Sequence, residues 1–584
     1  MRSSSSVGAP PSAETSGTRS HGPALHGVAA GSLGLGTLAG VFLIICVALA
    51  FLPGQSTVPP IDRDEPRYTQ ATKQMLETGD FVAIRFQDAP RHKKPIGIHW
   101  LQAGAATLSG RGAEAPLWVY RLPSLAGAIG ALLLSVWAAR AFLPLPLALT
   151  AGALFGATII LGVEARLAKT DAALLATILA MQGALARLWL AERRPLAMAI
   201  VFWVALALGI LIKGPIAPMV AGLTVLTLLI IDRRALLAKL RILIGLPILA
   251  AICLPWYVAI YFATDGAFFV AALGTDFFGK AATGQEGHGA PPLTHIAFFF
   301  AVAWPLAPFV LASVWHGVRQ RSDAVLFAFA WAVPAWIVFE LTPTKLPHYT
   351  LPLLPALAIA AVATLAPYRA PRILRILAAI LIAAPPIAVL AASPFLMSAL
   401  GSLSAQSAAL LEDVPVVSFA AVLAIAAAAG IYAAWQVIRG TRLLDQKVIA
   451  PALAAAIIAQ AGVWGIGLPA LQPVWISTRL VEAAHTLAPC EAPRLVSVGG
   501  FNEPSMIFLS GTDTALATAE QAASIAAQEC AVVAARAHAV EEVEEAARDA
   551  SVALRRAGVV EGFNISKGDP ITLTLFVAGE EAQR

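Results

Sequence analysis

The chain has 584 residues, of which 58% are hydrophobic and only 13% charged, with a mean hydropathy of +0.75. Soluble globular chains carry about 45–50% apolar and about 25% charged residues, so the composition excludes an ordinary soluble enzyme. The net charge of +5 is gathered in short clusters between apolar runs, which excludes a nucleic-acid-binding footprint.

In chain order, residues 1–26 are rich in Ser, Gly, Pro and His and read as a disordered tail, because they can bury little apolar surface. The run near 33–53 is too long, and starts too late, for a cleaved signal peptide, so it reads as the first span. A long polar stretch, 54–117, follows. Further apolar runs lie near 119–139, 146–163, 171–191, 196–212, 215–231, 242–262, 294–315, 323–341, 350–367, 373–396, 415–438 and 449–469. Their length is that of a helix crossing about 30 Å of hydrocarbon. The expected fold is an α-helical polytopic membrane protein with about thirteen transmembrane helices over residues 27–470 and a small C-terminal α/β domain over 471–584.

The loop charges give the topology. Every second short connection is basic: Arg140, then Arg193-Arg194, then Arg233-Arg234 with Lys239 and Arg241. The series continues with Arg319 and Arg321, then Arg369, Arg372 and Arg375, then Arg439, Arg442 and Lys447. Basic short loops face the cytoplasm. That puts the N-terminus in the cytoplasm, and the loop 54–117, the loops 164–170, 213–214, 263–293, 342–349 and 397–414, and the C-terminal domain outside it. In that domain, Arg494–Gly500, Ala531–Arg536 and Ile571–Gly579 are predicted strands, and Thr518–Glu529 and Glu541–Arg556 predicted helices. Phe501–Ser505 is predicted to start a helix and cap it. Cys490 and Cys530 form a candidate disulfide if the compartment is oxidising.

The connections on that outer side hold most of the chemistry. The first carries Asp62-Arg63-Asp64-Glu65-Pro66-Arg67-Tyr68 and then Arg91-His92-Lys93-Lys94-Pro95. Arg166, Lys169 and Asp171 precede the fourth span. Lys213-Gly214-Pro215 joins the fifth and sixth, where Gly-Pro would serve equally as a plain turn. Thr344-Lys345-Leu346-Pro347-His348-Tyr349 joins the ninth and tenth. Gln285-Glu286-Gly287-His288-Gly289 with His295 offers a metal or acceptor contact, or a flexible lid. Positive charge here runs against the topology bias and needs a partner at membrane depth. A phosphate suits Lys and Arg, and a neighbouring carboxylate offers a general base.

Asp64-Glu65-Pro66-Arg67-Tyr68 after a first span resembles the D-E-x-R-Y motif of the bacterial aminoarabinose transferases and their protein-mannosyltransferase-like relatives, of the C-type superfamily. Lys94-Pro95, Lys169-Thr170-Asp171, Lys213-Gly214-Pro215 and Lys345-Leu346-Pro347-His348-Tyr349 follow in that family's order, over roughly residues 35–470. The resemblance implies a glycosyltransferase moving a sugar from a polyprenyl-phosphate donor to an envelope acceptor at the periplasmic face of the bacterial inner membrane. A lipid A-like glycolipid, a polysaccharide and a protein all stay open as acceptor. By carry-over, Asp64 and Asp171 would be the catalytic carboxylates. Arg67, Lys94, Lys213 and Lys345 would hold the donor phosphate, with Glu65, Tyr68, His348 and Tyr349 completing the substrate site. The displacement would be a single inverting one. Where the family's aminoarabinose members often carry an acid before Lys-Pro, this chain has Lys93; no cofactor is assigned, and a divalent metal stays open. The competing classes are a secondary transporter or flippase, which predicts internal repeats and charges near the midplane, and a non-catalytic assembly protein, which would not need basic residues at five junctions on one side.

Overall fold

The computed structural model describes residues 36–191, 194–231, 236–272, 274, 279 and 289–578. The tail 1–26 and the segment Gln285–His288 lie outside the described residues.

Among the described residues, nine helices are long and apolar enough to cross a membrane, from Leu117–Ala139 to Gln446–Ala470. The three apolar helices Thr37–Leu49, Leu145–Gly156 and Ile216–Ile231 are shorter. The predicted run 294–315 is broken into Thr294–Val302 and Ala307–Gly317. Pro305 lies in the break, where it has no N–H to continue the ladder. Each of the thirteen apolar runs therefore falls on helix, but only nine reach full spanning length. The helices share one core in which Phe155, Trp189, Phe309, Phe327 and Trp331 are fully buried.

The polar stretch after the first span is folded. It forms the helices Asp64–Thr78 and Gly97–Leu108 and a small antiparallel pair, β1 (Arg85–Phe86) and β2 (Ala89–Pro90). The second helix lies against the end of Pro195–Lys213 so closely that a Cβ on Gly97 would stand 2.7 Å from Leu211 O. Glycine is required there by contact, not by φ.

The C-terminal domain has a five-stranded mixed sheet of β3 (Arg494–Val498), β4 (Ala515–Leu516), β5 (Ala531–Arg536), β6 (Leu554–Asn564) and β7 (Asp569–Ala578), in the order β4-β3-β5-β7-β6. β3 is parallel to β4 and β5; β7 is antiparallel to β5 and β6. Alternate residues feed two cores. Leu495, Val532 and Leu573 face helix Ile476–Leu487. Val496, Val533 and Phe576 face helices Ala519–Gln528 and Val540–Asp549. This is the period-2 pattern of a sheet covered on both faces.

One element departs from its expectation. The predicted helix Glu541–Arg556 stops at Asp549, and Ser551 adopts φ 54°. Leu554 onward joins β6, which pairs with β7 along its length. Helix-compatible composition lost to a long antiparallel ladder, as tertiary context overrides propensity. Cys490 and Cys530 are bonded, 40 residues apart, beside the first residues of β3 and β5. Replacing Cys490 by Ser should cost roughly 2–4 kcal/mol of domain stability. Thermal unfolding with and without reductant, alongside non-reducing peptide mapping, checks it; equal melting of variant and wild type would remove the bond from the account.

Candidate active site

Pairs of charged groups organise the site. Helix Leu117–Ala139 carries Arg121, which is 1% exposed. Its Nε and Nη2 donate to Glu65 Oε1 and Oε2, both at 2.8 Å. Its Nη1 donates to Gln55 O and Val58 O at 2.8 Å. Glu65 also accepts the N–H groups of Ile61 at 3.0 Å and Ala168 at 2.9 Å. Both carboxylate oxygens of Glu65 are thus taken, and the side chain is buried. Glu65 lines the cavity and at the same time acts as a strut that fixes the start of helix Asp64–Thr78. Arg121 was missed by the sequence reading, although a charge inside a predicted span is itself a signal.

The strut leaves the next residues free to face inward. Asp64, Arg67 and Tyr68 line a cavity of about 880 Å³ with Lys94, Lys213, His348 and Tyr349, within the usual size range of ligand sites. Asp64 is exposed to it and makes no hydrogen bond or ion pair with any described residue. Arg67 is partly exposed, likewise makes no hydrogen bond or ion pair with a described residue, and its charge acts on the nearby Asp62. Tyr68 is buried under the Arg91 guanidinium, 5.1 Å from its ring centroid. Tyr257, Phe268 and Phe269 give the cavity an apolar stretch. Lys213 ends its helix because Gly214 turns the chain at φ 64°, a conformation that disfavours a side chain. Lys213-Gly214-Pro215 is therefore both a turn and a way to present an ammonium.

Asp171 sits in a different environment. It is 7% exposed and lies 2.5 Å from Lys213 Nζ. Lys169 Nζ and His348 Nε2 are each 3.9 Å from it. Lys169 is held in turn by Glu164 at 2.9 Å. A carboxylate bonded to an ammonium in a buried network is a poor proton acceptor, so within the cavity wall Asp171 holds Lys213 and His348.

Lys345 is a clearer correction. Its Nζ donates to Glu340 O at 2.8 Å and Thr342 O at 2.6 Å, the side chain is 5% exposed, and it is absent from the cavity lining. The last carbonyls of helix Asp323–Leu341 lack partners within the helix, and Lys345 supplies them. It does not face the cavity. Arg166 is likewise structural, with its guanidinium on Pro53 O, Gly162 O and Ala50 O. His295 turns to Glu340, 3.2 Å away. Among the described residues no three His, Cys, Asp or Glu side chains converge as metal ligands.

Two further links hold the first loop. Thr72 Oγ1 lies 2.8 Å from both His99 Nδ1 and Gln102 Oε1. Burial, with Arg91 nearby, pushes His99 down to about 3, so it is neutral at working pH. Asp62 reaches into the C-terminal domain. The Ser505 N–H donates to its Oδ1 at 2.9 Å and the Ser505 hydroxyl donates to Oδ2. The segment Phe501–Ser505 starts helix Pro504–Ser510 as expected, but its N-cap residue, Glu503, makes no side-chain cap bond; Asp62 takes the Ser505 N–H from another domain.

These observations define a polytopic membrane protein whose loop-side cavity combines one unpaired carboxylate, several cations and an apolar wall. The family profile described as dolichyl-phosphate-mannose-protein mannosyltransferase matches residues 93–258. The undecaprenyl phosphate-alpha-4-amino-4-deoxy-L-arabinose arabinosyl transferase of Edwardsiella ictaluri is 28% identical over 339 residues, 55% of this chain and 58% of that protein. The one from Pseudomonas aeruginosa is 26% identical over 310 residues, 51% of this chain and 54% of that protein. The matches thus span little more than half the length of these relatives. ArnT from Cupriavidus metallidurans bound to undecaprenyl phosphate superposes with a TM-score of 0.71 at 17% identity, covering 91% of this chain and 97% of that one. The fold is therefore that of ArnT from Cupriavidus metallidurans, and part of the chain is similar to the aminoarabinose transferases and to the mannosyltransferase profile.

Two tests follow from the struts. Arg121→Met leaves Glu65 buried without its partner and should cost about 3–5 kcal/mol. Thermal unfolding in detergent measures it, and Glu65→Gln in the same chain should recover part of the loss; additive losses would deny the pairing. Asp62 gives a pH signature. Burial pushes its carboxyl up from 3.8 to about 7, against the opposing bonds from Ser505. The folded protein holds this proton more tightly than the unfolded chain, so the stabilisation is complete below the ordinary value of 3.8 and is lost as pH rises through about 7. Melting temperature should fall across that window, and Asp62→Asn should flatten the fall; an unchanged profile in the variant would exclude Asp62 as its source.

Proposed function

We propose that this protein is a glycosyltransferase that moves a sugar from a polyprenyl-phosphate donor to an envelope acceptor at the periplasmic face of the bacterial inner membrane. The observation that carries the proposal is the unpaired Asp64 carboxylate in a cavity lined by Arg67, Lys94 and Lys213. The similarity to proteins named as undecaprenyl phosphate aminoarabinose transferases supports the donor class.

Asp64 takes the proton of the acceptor hydroxyl as its oxygen attacks the anomeric carbon. The new C–O bond forms while the bond from that carbon to the donor phosphate oxygen breaks. The leaving polyprenyl phosphate gains negative charge, which Arg67, Lys94 and Lys213 stabilise. Lys213 is held by Asp171 before the donor arrives, so a phosphate must share it with that carboxylate. One displacement inverts the anomeric centre. The stretch formed by Tyr257, Phe268 and Phe269 suits the isoprenoid chain next to the phosphate. The basic alternate loops support a cytoplasmic N-terminus, about thirteen crossings and a periplasmic C-terminal domain over 471–584. The acceptor is a hydroxyl-bearing envelope component: a lipid A-like glycolipid, a polysaccharide or a protein.

Purified wild-type protein given a labelled polyprenyl-phosphate sugar and envelope lipid extract should label an extract component. Asp64→Asn should lower kcat by roughly 10²–10⁴, the usual contribution of a general base. Transfer by the variant at the wild-type rate would sink the mechanism.

A further inference from the structure

The C-terminal domain enters the cavity wall through the turn between β6 and β7. Ile565 and Ser566 line the same cavity as Asp64 and Arg67, some five hundred residues earlier in the chain. The turn is anchored as a built element. Arg63 Nη2 donates to Ser566 O at 3.2 Å, and Arg63 is the residue before Asp64. Glu503, 4% exposed, accepts the Ser566 hydroxyl at 2.6 Å and Asn564 Nδ2 at 3.0 Å on one oxygen. Asn564 Oδ1 accepts the N–H groups of Ser566 at 3.0 Å and Lys567 at 3.3 Å. The side chains of Asn564 and Ser566 and the Ser566 carbonyl are all occupied in holding its shape.

The side chain that the turn presents is apolar. Ile565 is 60% exposed although the domain offers two cores to bury it. A hydrophobic side chain held out by a turn anchored on both sides is placed for contact with something else. The donor has its own surfaces in this cavity: Lys94 and Lys213 for the phosphate, and Phe268 and Phe269 for the hydrocarbon, all from the first 272 residues. The turn belongs to a separate domain and stands beside the residue that precedes the proposed base.

We infer that the Ile565–Ser566 turn is the acceptor-facing wall of the site, with Ile565 a specificity-determining residue and Arg63, Glu503 and Asn564 positioning it. The inference rests on the transferase reading above. It implies that the C-terminal domain takes part in acceptor choice, whereas the membrane helices hold the donor.

The test is steady-state kinetics with full-length protein, a labelled polyprenyl-phosphate sugar and envelope lipid extract, each varied at a saturating level of the other. Ile565→Asp should raise the apparent KM for the extract about tenfold, the scale of one apolar contact in a binding site, with the donor KM and kcat unchanged. Ile565→Leu should restore the wild-type value. Acceptor KM within twofold of wild type in Ile565→Asp, or a parallel rise in donor KM, overturns the inference while leaving the transferase reading intact. Wild-type protein that transfers no sugar to any extract component overturns both. Thermal unfolding of each variant separates loss of contact from loss of fold: a KM rise that tracks a fall in melting temperature counts against the assignment.

Discussion

The buried pair of Arg121 and Glu65 is the constraint on which the site depends. Arg121 comes from a membrane helix, Glu65 from the first loop, and the pair binds the carbonyls of Gln55 and Val58 and the N–H of Ala168 around it. Three segments distant in sequence are thereby locked at one point. Burying two charges is expensive, and is tolerated where the geometry satisfies every lone pair and proton. The bidentate contact does so. Its consequence lies one residue away: with Glu65 fixed, Asp64 has one direction to point, into the cavity.

The remaining charges sort by the same rule. A buried cation must find oxygen, and where the protein supplies enough of it the cation is structural. Arg166 and Lys345 are satisfied by backbone carbonyls, so they hold helix ends together. Lys213 is satisfied by one carboxylate at the edge of the cavity. Arg67 makes no hydrogen bond or ion pair with a described residue, acts on the Asp62 carboxyl through its charge, and lines the cavity. A ligand with negative charge would therefore meet Arg67 first and compete with Asp171 for Lys213. The apolar stretch beside them gives the cavity the dual character that a phosphate carried on a hydrocarbon requires.

The C-terminal domain contributes more than cover. Asp62, Arg63, Gln70 and Gln87 of the first loop bond to Ser505, Ser566, Thr512 and Thr514. The loop carrying Asp64 is thus gripped from below by a membrane helix and from the other side by a soluble sheet. Two domains share one short helix, so a change in either reaches the same carboxylate.

Much of the fold was legible in the sequence. Apolar length and composition located the helical runs, nine of which are long enough to span a membrane among the described residues, because a span must be apolar in bulk whatever it packs against. Strands β3, β5 and β7 were legible as short apolar runs bounded by turn residues. Strand β6 was not, because Leu554–Arg556 has helical composition and is a strand only by virtue of its pairing with β7. The motif order identified Asp64, Arg67, Tyr68, Lys94, Lys213, His348 and Tyr349 as one group, and they share one cavity. What sequence alone could not decide was which charges were already spent. Glu65 and Asp171 line the cavity but are already bonded to Arg121 and Lys213, and Lys345, from the same motif set, is turned to two helix-end carbonyls away from it. Residue type sets what a side chain can bond to; only the packing of distant segments sets whether that bond is already made.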